Sequence, residues 1–106
     1  MGLFGFMKNQ DINEGVKVYG ATTGAILLDV RTPQEYQEGH IPESKNVPLQ
    51  ALEGVKQVVT KMDTPVFVYC YSGGRSRQAA KLLAQMGYTN IKDIGGIAAY
   101  TGKVER

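Results

Sequence analysis

The chain has 106 residues, a net charge of +2, one cysteine, one histidine and no tryptophan. That length suits a single domain with one modest core, and so small a charge gives no argument for a nucleic-acid or membrane-surface partner. A lone cysteine excludes an internal disulfide, a Cys-x-x-Cys redox pair and a Cys/His zinc cluster, so neither a metal nor a cofactor is expected.

The first stretch, Met1-Gly2-Leu3-Phe4-Gly5-Phe6-Met7, is apolar but too short for a secretory signal. Phe6 stands where a myristoylation signal needs Ser or Thr. Residues 1–10 therefore read as an N-terminal arm or edge strand lying on a single domain that spans residues 1–106. The lack of an export signal and the free thiol point to the cytoplasm. Residues 11–19 read as a short helix, with Asp11 as N-cap and Ile12, Val16 and Tyr19 as its apolar face. Residues 25–30 read as a buried strand, with Asp29 and Val30 at its end. Thr32 is placed to cap the next helix and Pro33 to be its first residue; Gly39 stops it. Two prolines make residues 40–49 an extended crossing with one short strand near Asn46 and Val47. Residues 50–62 read as a helix with Leu52, Val55, Val58 and Val59 turned to the core.

The chain is organised around Val66-Phe67-Val68-Tyr69-Cys70-Tyr71-Ser72-Gly73-Gly74-Arg75-Ser76. Its apolar start does not alternate with polar residues, so it reads as an interior strand. Residues 77–86 read as a helix, with Ala79, Leu82, Leu83 and Met86 on one face and Gly87 as its stop. Cys70 thus lies between a strand end and a helix start. The first N–H groups of a helix lack intrahelical partners and carry partial positive charge. A cysteine held over them has its thiolate stabilised and becomes a nucleophile. Gly73 and Gly74 let the backbone curl around the sulfur, Arg75 offers a fork for an oxyanion, and Tyr71 and Ser72 set access and polarity. Arg77 reads as a solvated charge.

Residues 90–94 read as a last strand, Gly95-Gly96 as a turn, and residues 97–100 as a short helix. Strands alternating with helices imply an α/β fold, a mostly parallel sheet of about five strands with helices on both faces. In such sheets ligands bind beyond the carboxyl ends of the strands. Residues 29–31 and 70–75 both lie at such ends and can face one pocket. Asp29 there reads as structural support, paired with an arginine or backbone N–H groups. Arg31 reads either as a brace or as part of the pocket, and His40 as a turn histidine rather than a base.

This pattern resembles the rhodanese-like domain, the sulfurtransferase family. The resemblance rests on Leu28-Asp29-Val30-Arg31 with Glu35-Tyr36, on Gly39-His40-Ile41-Pro42 followed by Asn46-Val47-Pro48, and on Cys70 with Gly73, Arg75 and Ser76. It takes in residues 11–101. One departure is the missing Trp after Gly95-Gly96; Tyr100 is the nearest aromatic. The resemblance implies a thiosulfate sulfurtransferase that moves a sulfane sulfur through a Cys70 persulfide to cyanide or a thiol. The loop N–H groups of residues 71–76 would cradle the sulfur, and Arg75 would bind the donor's sulfonate. The donor would be a small anion such as thiosulfate or a protein persulfide.

Three other functions compete. The fold also hosts cysteine phosphatases, but their arginine lies six residues after the cysteine; Arg75 lies five after Cys70, a smaller cradle that suits sulfur better than phosphate. A non-catalytic binding module shares the fold, yet Cys70 and Arg75 are both present. A carrier charged by another protein's persulfide differs only in its partner.

Overall fold

The structure is a computed structural model, and it describes residues 11–106. The chain runs α1 (Ile12–Gly20), β1 (Ile26–Asp29), α2 (Pro33–Glu38), β2 (Lys45–Asn46), a 3-10 helix (Leu49–Gly54), α3 (Val55–Val58), β3 (Val66–Cys70), α4 (Gly74–Gln85), β4 (Ile91–Gly96) and a closing 3-10 turn (Ile97–Ala99). The strands form one sheet in the order β2-β1-β3-β4, and every pairing is parallel. Among the described residues the sheet has four strands where about five are expected; the arm or edge strand expected at residues 1–10 lies outside them.

Strand β3 is interior and buried along its whole length. Its alternate residues feed two apolar layers. Val66, Val68 and Cys70 pack with Leu28, Leu52, Val55, Ala79 and Leu83 on one face. Phe67 and Tyr69 pack with Ile12, Leu27, Ile41 and Ile94 on the other. Each large aliphatic or aromatic side chain buried this way contributes about 1.5–3 kcal/mol of transfer free energy. Because both faces are covered, the strand needs no polar residue between its apolar ones, which is why its sequence does not alternate.

Helix α1 forms where expected. The Asp11 carboxylate accepts from the N–H groups of Asn13 and Glu14, and the Tyr19 ring meets Phe67 edge-on at 5.8 Å. Helix α2 starts with a full capping box: Thr32 Oγ accepts from the Glu35 N–H, and Glu35 Oε1 accepts from the Thr32 N–H.

Residues 50–62 are not the single helix expected. They begin as a 3-10 segment interrupted at Ala51, pass into one α turn, and become extended at Val59. Gly54 and the β-branched Val55, Val58 and Val59 are poor helix formers, and the core contacts of Leu52, Val55 and Val59 are met without a regular helix. Helix α4 begins at Gly74, three residues earlier than expected, so Arg75 and Ser76 belong to its first turn. Its buried face is Ser76, Ala79 and Leu83. Leu82 instead lies exposed, at the edge of a shallow apolar cleft of about 310 Å³ with Leu49, Leu52 and Met86. Gly95 and Gly96 are not a turn but the end of β4, paired with Tyr69 and Cys70 after a register shift. No helix among the described residues is long and apolar enough to cross a membrane.

Candidate active site

The carboxyl end of β3 delivers Cys70 to the floor of a tight loop. Gly73 sits at φ 109°, a conformation that disfavours any residue with a Cβ. The chain turns there straight into α4, and the turn points the Gly73 N–H at Cys70 Sγ, 3.0 Å away. Ser76, one turn into the helix, places its Oγ 3.6 Å from the same sulfur. Helix start and sulfur are therefore in direct contact: the Gly73 N–H donates to Sγ, and the Cys70 thiol donates to Ser76 Oγ. The cysteine side chain lies beneath its loop, with the residue only 1% exposed.

Strand β4 closes the other side. A Cβ on Gly96 would stand 2.1 Å from the Tyr71 carbonyl oxygen, so glycine alone lets this strand approach the loop. The Ala98 N–H then donates to that carbonyl at 2.9 Å, fixing the first turn of the loop. Tyr71 and Ser72 are exposed at the rim, and Gly74 opens the helix beside them.

Arg75 is half-buried and already occupied. Its Nη1 and Nη2 donate to Glu35 Oε1 and Oε2 at 2.7 and 3.0 Å, a bidentate pair. The Arg75 guanidinium holds the Glu35 carboxyl well below its ordinary range, at about 2, with the Thr32 N–H and hydroxyl acting the same way against the opposing effect of burial. From sequence, Arg75 offers its fork to an oxyanion; the structure places that fork in an ion pair with Glu35.

Arg31 is turned inward. Its Nε and Nη2 bind both Asp29 oxygens, with Nη2–Oδ2 at 2.8 Å, and Nη2 also donates to the Gly39 carbonyl at 2.7 Å. Asp29 is fully buried and Arg31 is 5% exposed, and the guanidinium lies 5.8 Å from the centre of the Tyr69 ring. Of the two roles open to Arg31, these contacts are those of a brace. Asn46 Nδ2 ties the same corner by donating to the carbonyls of Asp29 and Arg31. His40 stacks on Tyr36 at 3.8 Å with Nδ1 on the Tyr36 carbonyl, a turn contact. Arg77 is exposed.

Two residues at the site were assigned no role there from sequence. Glu35 is reached only through the fold, from α2 to α4. Asp93, in β4, accepts from Ser76 Oγ at 2.7 Å and from the Gly95 N–H at 3.1 Å. Its one sequence signal is its place just before Gly95-Gly96 at a strand's carboxyl end, where α/β sheets gather their polar groups. Among the described residues no group of three or more His, Cys, Asp or Glu side chains is placed to hold a metal ion.

A sequence model of the rhodanese-like domain matches residues 12–103. The thiosulfate sulfurtransferase PspE of Escherichia coli is 38% identical over 71 residues, which are 66% of this chain and 68% of that one. The uncharacterized protein YqhL of Bacillus subtilis is 39% identical over 82 residues, 76% of this chain and 64% of that one. Among solved structures, a rhodanese with anions from E. coli superposes with a TM-score of 0.72 at 32% identity, covering 77% of this chain and 98% of the other. A rhodanese-related protein from Thermoplasma volcanium gives 0.71 at 32% identity, covering 86% and 93%.

Proposed function

The chain belongs to the rhodanese-like domain family, and we propose that it is a sulfurtransferase that carries a sulfane sulfur on Cys70. The Cys70 thiolate attacks the outer sulfur of a donor such as thiosulfate. A new S–S bond forms on Sγ, the donor's own S–S bond breaks, and sulfite leaves with the bonding pair. A nucleophile, cyanide in an assay or a thiol in a cell, then takes the outer sulfur and returns Cys70 to its thiolate. The observation that carries this reading is the Gly73 N–H aimed at Sγ from 3.0 Å at the start of α4. That donor and the helix end favour negative charge on sulfur. Nothing in the step needs a general base once the thiolate is formed, and no cofactor is called for.

The same proposal gives the remaining residues their roles. Gly73, Gly74 and Ser76 form the cradle, Tyr71 and Ser72 its rim, and Arg75 the cation shared between Glu35 and the donor. Arg31 and Asp29 brace the end of β1 beside β3. Thiosulfate is the substrate that names PspE. In this chain the Glu35 carboxylate already balances Arg75, which favours a donor less dependent on a free guanidinium than a sulfonate is. A low-molecular-weight or protein persulfide fits that description, and a reducing cytoplasm is where such a donor and a free thiol coexist.

The test is thiocyanate formation from thiosulfate and cyanide by the purified protein, beside Cys70→Ser and beside hydrolysis of an aryl phosphate. Turnover to thiocyanate that needs Cys70, with no phosphate release, is expected. Phosphate release that needs Cys70 would point to a phosphatase instead. Neither activity from a folded protein, with no thiocyanate formed from a low-molecular-weight persulfide either, would leave a binding module.

A further inference from the structure

The buried Ser76 hydroxyl is shared by more acceptors than it has protons. Ser76 is 0% exposed. Its Oγ lies 2.7 Å from Asp93 Oδ1, 3.1 Å from the Gly73 carbonyl, 3.4 Å from the Gly95 carbonyl and 3.6 Å from Cys70 Sγ. A hydroxyl has one proton and two lone pairs. While Sγ carries no charge, the charged and nearest acceptor, Asp93, takes that proton, and a lone pair accepts from the Cys70 S–H. When negative charge collects on Sγ, the same proton can turn to the sulfur by rotation about Cβ–Oγ, with no heavy atom displaced. Asp93 is then still held by the Gly95 N–H at 3.1 Å.

We propose that Ser76 is a catalytic residue that donates a hydrogen bond to Cys70 Sγ as it leaves the persulfide, and that Asp93 is a positioning residue that restrains this donation by competing for the hydroxyl proton. The proposal rests on the persulfide reading and assigns the step within it. In sulfur release to cyanide, the cyanide carbon bonds to the outer sulfur and the S–S bond breaks. Both electrons of that bond stay on Sγ, and thiocyanate departs. Sγ is reduced, the cyanide carbon is oxidised, and no proton is consumed. Charge moves from the outer sulfur onto Sγ, where Ser76 waits. Loading runs the other way, with charge leaving Sγ, so a donor at Ser76 favours release over loading. Asp93 reaches the site because β4 pairs it with Val68, on the sheet face that carries Cys70 and α4, just before the register shift.

The two residues therefore act with opposite sign, which a purely structural hydrogen bond cannot do. The protein is charged with thiosulfate, freed of excess donor and mixed with cyanide in a single turnover, with loading measured separately. Ser76→Ala should slow release by roughly tenfold or more, the weight of a hydrogen bond to a charged group, and lower the ratio of release to loading. Asp93→Asn keeps an oxygen for Ser76 but without the charge, and should quicken release and raise that ratio. Circular dichroism establishes that each variant is folded; should Ser76→Ala fail to fold, the sign of the Asp93→Asn change decides alone. Release slowed in both variants would reduce the pair to a loop support and overturn the proposal, as would unchanged release in Asp93→Asn. A wild-type protein that loads no sulfur from thiosulfate or from a low-molecular-weight persulfide would overturn the persulfide reading itself, and this assignment with it; normal loading without the opposed signs overturns only the assignment.

Discussion

Arg75 in the first turn of α4 and Glu35 in α2, 40 residues apart in sequence, form a two-pronged ion pair at 2.7 and 3.0 Å. The pair links the active loop to the capping box of α2, where Glu35 Oε1 also accepts from the Thr32 N–H and hydroxyl. It fixes Arg75 and at the same time neutralises it.

Glu35→Gln removes the neutralising charge and leaves an acceptor for Arg75. The KM for thiosulfate, a dianion, should fall by roughly 3–10-fold as the local potential becomes more positive, with kcat little changed. Steady-state kinetics at low ionic strength measure this. A higher KM would mean that positioning of Arg75 outweighs its charge. Arg75→Ala should raise KM, and Arg75→Lys should rescue it only in part because lysine lacks the bidentate fork.

The same pair makes stability depend on acid pH. The Glu35 carboxyl is held at about 2 in the folded protein against an ordinary value of 4.5. Its folded value is depressed, so its stabilisation is complete above about 4.5 and is lost as pH falls from there through about 2. Thermal melts across that window should show a steeper fall for the wild type than for Glu35→Gln. Parallel curves would mean that the ion pair does not persist in solution.

Arg31→Met tests the brace. It leaves the fully buried Asp29 carboxylate without its guanidinium and should cost about 3–5 kcal/mol by denaturant unfolding. The KM for thiosulfate of the folded fraction should stay near wild type. A raised KM with unchanged stability would move Arg31 into the substrate pocket.

Gly96→Ala tests the contact between β4 and the loop. Its Cβ would meet the Tyr71 carbonyl at 2.1 Å, and backbone on both sides leaves little room to relax. A loss of about 3 kcal/mol is expected, with the loop displaced and sulfur transfer strongly reduced. Near-normal stability and activity would show that the strand stands off the loop in solution.

The parts of this fold visible in the sequence are those set by local rules. The unbroken apolar run at residues 66–70 marks an interior strand because both its faces are covered. Thr32-Pro33 and Asp11 mark helix starts because caps are short-range hydrogen bonds. Less legible is the start of α4: Gly74 looks like loop, yet it opens the helix and draws Arg75 and Ser76 into the first turn. Residues 50–62 keep the apolar spacing of a helix while Gly54 and the valines break it. At the site, Cys70 and its glycines stand out because they are contiguous. The contacts of Glu35 and Asp93 with the loop do not, since each meets it only after the sheet has brought distant strands and helices together, and the hold of Arg31 on Asp29 likewise shows only in the folded chain.

The most direct test of the central claim is the mass of Cys70 itself. The protein is treated with thiosulfate, freed of excess reagent, and analysed intact and as peptides. One added sulfur atom on the peptide that carries Cys70, removed by cyanide and absent from a folded Cys70→Ser, is the result expected for a sulfur carried as a persulfide. An unmodified Cys70, after thiosulfate and after a low-molecular-weight persulfide donor alike, would contradict it.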